Sequence, residues 1–216
     1  MSEPQLLPNF EGISMYLNRL SLDLGVPAVR RDLGNSYDMH RTLSRAYVDA
    51  EGNRTARFLW RLEPGLSGCQ PIVFVQSELP GCWGAVKDAL ADGVCVETRQ
   101  FDLGTMCAEH RTFRFRLLAN PTVSRLGKRW GLVTEDAQLD WLGRQAVQAG
   151  FAVQTGLVTG SDVQHGQKGR IRISLRRVCF DGILHVTNGS ALQQAVRAGI
   201  GPGKAFGCGL LSLAPN

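Results

Sequence analysis

Strand and helix periodicities alternate as β-α-β-β-α-β over residues 13–101 and again, with one added strand, over 110–216. The sequence therefore predicts an α+β fold of tandem ferredoxin-like (RRM-like, βαββαβ) domains carrying a C-terminal glycine-rich loop. A third observation agrees: 216 residues suffice for two hydrophobic cores, with a join near 102–109.

Residues 1–12 hold two prolines and little periodic pattern, and are expected to form a flexible leader. Ile13, Met15 and Leu17 alternate with Ser14, Tyr16 and Asn18, the two-residue period of a strand. Ser36 can cap a helix running to about Tyr47, with Met39, Leu43, Ala46 and Tyr47 on one apolar stripe. Strands near 56–63 and 71–77, a short helix near 83–91 and a strand near 94–101 complete the first half.

In the second half Phe113, Phe115 and Leu117 point one way while Arg114 and Arg116 point the other. Thr134 caps a helix with Glu135 and Asp136 in its first turn, and Gly150 closes it. Strands are expected near 151–158, 170–178 and 180–187, the last two joined by a hairpin turn at Asp181-Gly182. A helix from Ser190 to Ala198, the glycine-rich loop and the apolar run Leu210–Leu213 finish the pattern.

That loop holds Gly199, Gly201, Gly203, Gly207 and Gly209 around Lys204. Such bareness suits positive φ angles or close approach to an anion. A helix cap at Gly199 followed by a bulged strand explains the same residues. It is not a phosphate-binding Walker loop: the position that needs the first glycine is Ala198, and Lys204 is followed by Ala205 rather than a hydroxyl residue. A dinucleotide fingerprint fails too, because the loop follows a helix and enters a strand.

Net charge is +5, and its distribution says more than its size. No Asp or Glu lies between His110 and Val133, or between Val163 and Phe180, whereas both stretches are rich in Arg and Lys. In Arg170–Arg176 the two-residue period sets Arg170, Arg172, Ser174 and Arg176 on one face and Ile171, Ile173 and Leu175 on the other. The preceding His165–Gly169 segment, expected as a flexible turn, adds Lys168. Guanidinium groups aligned without acids suit the phosphates of a nucleic acid, and a solvated strand facing cross-strand acids from elsewhere in the chain is the alternative.

Six cysteines without a Cys-x-x-Cys pair or zinc-ligand spacing predict free thiols in a reducing compartment, no metal site and no cofactor. No signal peptide or bilayer-length apolar run stands out, so a soluble, cytoplasmic protein is expected.

Tyr37, His40, Arg41 and Ser44 share a second face of the Ser36 helix, at i, i+3, i+4, i+7 spacing. This puts an aromatic hydroxyl, a guanidinium and an imidazole together, and an imidazole with an ordinary pKa of about 6.5 can move protons near neutral pH.

Tyr37-x-x-His40, Phe115-Arg-Leu-Leu-Ala-Asn-Pro121, Gly127-Lys-Arg129, Val178-Cys-Phe-Asp-Gly182 and the Gly199–Pro215 block together resemble the CasE endoribonucleases, the CRISPR RNA-processing subunit of the type I-E Cascade complex. The resemblance spans nearly the whole chain, and the glycine block is its most specific part. It implies two ferredoxin-like domains that bind the hairpin of a CRISPR repeat transcript and cut at the 3′ base of the stem without metal. It carries the catalytic histidine to His40 and the assisting tyrosine to Tyr37. RNA contacts fall on Arg170, Arg172 and Lys168, with Lys128, Arg129, Arg176, Lys204 and Arg41 as further positions. Expected partners are the repeat RNA, before and after cutting, and the other Cascade subunits. A protein that grips structured RNA without cutting it shares every one of these features except the Tyr37/His40 face.

Overall fold

The protein is described by a computed structural model covering residues 14–63, 70–168 and 171–216; the expected leader lies outside the described residues, as do the side chains of 167–172. The first half comprises β1 (Ser14–Leu22), α1 (Pro27–Gly34), α2 (Ser36–Ser44) with a 3-10 turn at Arg45–Tyr47, β2 (Phe58–Glu63), β3 (Ile72–Ser77), α3 (Gly84–Ala89) and β4 (Val94–Asp102). A short helix α4 (Leu103–Met106) leads on. The second half has β5 (Thr112–Ala119), β6 (Thr122–Arg125), β7 (Lys128–Gly131), α5 (Glu135–Gln148), β8 (Phe151–Lys168), β9 (Ile171–Val186), α6 (Gly189–Ala198), a 3-10 turn at Lys204–Phe206 and β10 (Leu211–Pro215).

Each half holds one antiparallel sheet of four strands, in the orders β2-β3-β1-β4 and β10-β5-β9-β8. Numbered within its own half, each order reads 2-3-1-4 or its reverse. The pattern follows from two strand–helix–strand crossovers, each leaving room for a strand between the pair it connects. One core gathers Leu20, Leu22, Met39, Leu43, Tyr47, Trp60, Val73 and Val86; the other gathers Phe113, Phe115, Leu117, Trp141, Phe151, Phe180, Leu192 and Leu211. Strand β1 serves both, because its alternation sends Leu20 and Leu22 into the first core and Met15 into the second.

The expected apolar stripe of α2 is buried as read: Met39, Leu43, Ala46 and Tyr47 are each at most 3% exposed. Its cap is not Ser36 but Asn35, whose side chain accepts from the Tyr37 amide. Periodicity did not reveal α1, which begins on Pro27 and spans only eight residues. Thr134 caps α5 as expected.

The Asp181-Gly182 turn is overturned, since β9 runs unbroken from Ile171 to Val186 against β8. Gly182 lies mid-strand because a Cβ there would stand 2.0 Å from the Thr155 carbonyl oxygen. Asp181 is held by Arg116 at 2.7 Å. The expected turn at His165–Gly169 is likewise strand through Lys168, which pairs with Ile171. What remains is one long hairpin projecting beyond its sheet.

The halves are tied by two buried polar contacts and an exposed ion pair. Arg61, 4% exposed, donates to the Leu210 carbonyl at 3.2 Å and pairs with Glu63. Gln76 donates to the Val196 carbonyl at 2.8 Å, and Arg197 pairs with Glu78. Among the described residues no helix is long and apolar enough to cross a membrane.

Candidate functional site

His40 projects from the middle of α2 and is half-buried. Its ring stacks on Phe58, with centroids 5.1 Å apart, and Phe58 stacks in turn on Tyr47 at 5.0 Å. The imidazole is thus fixed by a column of aromatic rings that begins in the core. Nδ1 is buried without a hydrogen-bond partner, which leaves Nε2 as the nitrogen that reactants can reach.

The histidine lines a cleft of about 200 Å³ with Arg54, Arg57, Phe58 and Leu59 from the approach to β2, Arg197 and Ala198 from the end of α6, and Lys204 and Ala205 from the glycine-rich loop. One wall comes from each half. Burial, and secondarily the Arg54 charge, hold the His40 pKa below the ordinary imidazole value, so the ring is neutral near pH 7. Burial, then the Arg57 charge, lowers the Lys204 pKa in the same way. The cleft is an anion-seeking pocket around a neutral imidazole.

Lys204 is placed by the glycines. All five have positive φ, and each packs on the protein itself: Gly199 faces Leu59, Gly201 faces Trp141, Gly203 faces Leu175, Gly207 faces Trp60, and Gly209 the Ile200 backbone. The loop folds back on itself, with Lys204 Nζ donating to the Gly201 carbonyl at 2.8 Å. Packing on the protein itself demands the glycines, and the loop they form carries Lys204 to the cleft.

Of the other sequence-predicted positions, Tyr37 lies one turn before His40 on the same helix but is not among the residues lining the cleft. Arg41 is exposed and pairs with Asp38 at 3.5 Å, also outside the cleft. The β8–β9 hairpin leans on α2: a Cβ at Gly166 would meet Phe206 at 3.0 Å and the Asn35 side chain at 3.6 Å. The backbones of Lys168 and Arg172 follow within that hairpin, while Arg170 lies outside the described residues. Arg176 reaches Ser161 on β8 at 3.3 Å and packs beneath Gly131. Lys128 and Arg129 are exposed on the small β6–β7 hairpin beside it.

Sequence reasoning missed Arg54, Arg57 and Arg197. Nothing in the sequence links Arg54 and Arg57 to Arg197, which joins them only through the contact between halves; the sole early signal was that Arg54 and Arg57 closely precede an apolar strand. Among the described residues no group of three or more His, Cys, Asp or Glu is placed to hold a metal ion.

Two four-stranded antiparallel sheets joined through a glycine-rich segment, with an imidazole among cations at the joint, define the class. The chain belongs to the family described as CRISPR associated protein, whose model matches residues 15–215. It is 34% identical to the CRISPR-associated endoribonuclease Cse3 of Thermus thermophilus and 33% identical to the CRISPR system Cascade subunit CasE of Escherichia coli; both matches cover 93% of this chain and all of the relative. The solved structure of Thermus thermophilus Cse3 bound to an RNA representing a pre-cleavage complex superposes with a TM-score of 0.84 at 33% identity, over 94% of this chain and all of that one.

Proposed function

We propose that the protein is a metal-independent endoribonuclease that binds the hairpin of a CRISPR repeat transcript and cuts at the 3′ base of its stem. The observation that carries this reading is the neutral His40 facing a cationic cleft whose second wall is set by Lys204. The relatives supply the substrate class, since one is named an endoribonuclease and its structure holds RNA.

RNA brings its own nucleophile. In this mechanism His40 Nε2 takes the proton of the 2′-hydroxyl, the 2′-oxygen attacks the adjacent phosphorus, and the 5′-oxygen departs with a proton from water. The products are a 2′,3′-cyclic phosphate and a 5′-hydroxyl. Tyr37 orients the reacting hydroxyl, while Lys204, Arg57 and Arg54 offset charge building on the phosphorane. A pocket walled by four cations disfavours a divalent ion, which supports chemistry driven by side chains.

The strand orders support reading each half as a ferredoxin-like domain, spanning 13–101 and 110–216 with α4 in the join. Lys168, Arg172 and Arg176 on the long hairpin are proposed to grip the stem together with Arg170, with Lys128, Arg129 and Arg41 as further contacts. Retention of the product, assembly with other Cascade subunits and a cytoplasmic location complete the proposal.

The test is incubation of an end-labelled repeat hairpin with the protein in EDTA, beside His40→Ala and a substrate whose attacking 2′-hydroxyl is replaced by hydrogen. Cutting by the wild type alone, on the intact RNA alone, is expected. Full cutting of the deoxy substrate excludes the mechanism, and binding without any cutting favours the RNA-holding alternative.

A further inference from the structure

The β6–β7 hairpin is a two-stranded ribbon standing apart from both sheets, and Trp130, Arg125 and Leu126 have no part in the reaction above. Its register sets Val123 opposite Trp130 and Arg125 opposite Lys128, so these four side chains share one face. Trp130 is 58% exposed, and the tip residue Leu126 is fully exposed. An indole held this open on a short ribbon contributes little to any core.

Two features point to what covers it. Like charges directly opposite across a ladder repel, and among the described residues no ion pair involves Arg125, Lys128 or Arg129. The face also borders a groove of about 720 Å³ floored by Leu132, Thr134 and Ala137, and Gly131 at the end of β7 packs on Arg176 of the basic strand. The ribbon's other face therefore abuts the basic strand, and its outward face sets an exposed aromatic beside two further cations.

We propose that this face is a platform for an unpaired nucleotide of the bound RNA, Trp130 stacking on the base and Arg125 and Lys128 holding the flanking phosphates. It rests on the RNA-processing reading only for the identity of the polymer. Stacking on an aromatic suits an unpaired base, because bases within a helix already stack on one another. An apolar protein surface would not relieve the repulsion between Arg125 and Lys128, so charge favours RNA as the occupant.

The experiment measures binding of the full chain to two RNAs made uncleavable by a deoxy substitution: a hairpin with single-stranded flanks, and the same stem as a blunt duplex. Trp130→Ala is expected to weaken binding of the first by roughly 5- to 150-fold, the range for loss of one base–aromatic stack, and to leave the second unchanged. Trp130→Phe should restore most of the loss. Equal weakening on both RNAs overturns the unpaired-nucleotide assignment. Unchanged binding to both overturns the platform, as does loss of assembly with a protein subunit without loss of RNA affinity. A parent chain that binds neither RNA sinks this proposal and the RNA-processing reading together, whereas binding without cutting leaves the platform standing. Circular dichroism of each variant checks that the chain still folds, as expected for changes at a residue outside both cores.

Discussion

Replacing Gly199 by alanine strikes the joint that builds the cleft. Gly199 has φ 77° and ψ 151°, a conformation essentially confined to glycine and costing about 1–3 kcal/mol for other residues. The new Cβ would stand 2.7 Å from Leu59 Cδ2 and 3.0 Å from Lys204 Cε, and such overpacking costs about 1–3 kcal/mol more. Together these give about 2–6 kcal/mol, which for a chain of this length lowers the melting temperature by about 4–24 °C. Leu59 and Lys204 both line the cleft, so the surviving folded fraction should also cut RNA more slowly. The control is Gly34→Ala, at the end of α1 with nothing within 4 Å, which should hold or slightly raise stability. Calorimetry and single-turnover cleavage of both variants read the two effects. A Gly199→Ala protein as stable and as active as its parent would refute the claim that packing, and not ligand contact alone, demands this glycine.

His40→Ala should slow cutting by about 10²- to 10⁴-fold with RNA affinity nearly unchanged, measured by single-turnover kinetics and filter binding. Because burial and Arg54 lower the His40 pKa from 6.5, the acid limb of the rate profile should lie below that value and move upward in Arg54→Gln. The same direction fixes a stability effect: the neutral imidazole's contribution is present above pH 6.5 and is lost as pH falls through the lower folded-state value, which chemical denaturation across that window checks. Lys204→Met should reduce the rate of cutting more than it reduces affinity, the signature of charge stabilised in the transition state. Arg61→Leu removes a buried donor at the joint and should destabilise the chain by about 1.5–3 kcal/mol in urea unfolding.

Much of this architecture could be read from local pattern. The alternation of Phe113, Phe115 and Leu117, the Met39–Tyr47 stripe and the Thr134 cap are each set by neighbours a few residues apart, and local rules capture such elements. Asp181-Gly182 misled because a glycine needed for close strand approach looks the same in sequence as one needed for a turn. At the site, His40 and Lys204 were legible as separate features, one by helical spacing and one by its glycine surroundings. Their meeting was not, and neither were Arg54, Arg57 and Arg197, because the cleft exists only where two sheets dock. The aromatic column of Phe58 and Tyr47 behind His40 is likewise a product of tertiary packing.

A cleft with one wall from each half imposes an order on biosynthesis. A nascent polypeptide that has left the ribosome only as far as Ala198 already possesses the imidazole, yet lacks the lysine-bearing segment that completes the opposite side. Such a translation intermediate, or a product of premature termination there, should be catalytically silent. On the proposed function, cutting is thereby confined to molecules whose halves have finished docking, with no separate inhibitor required.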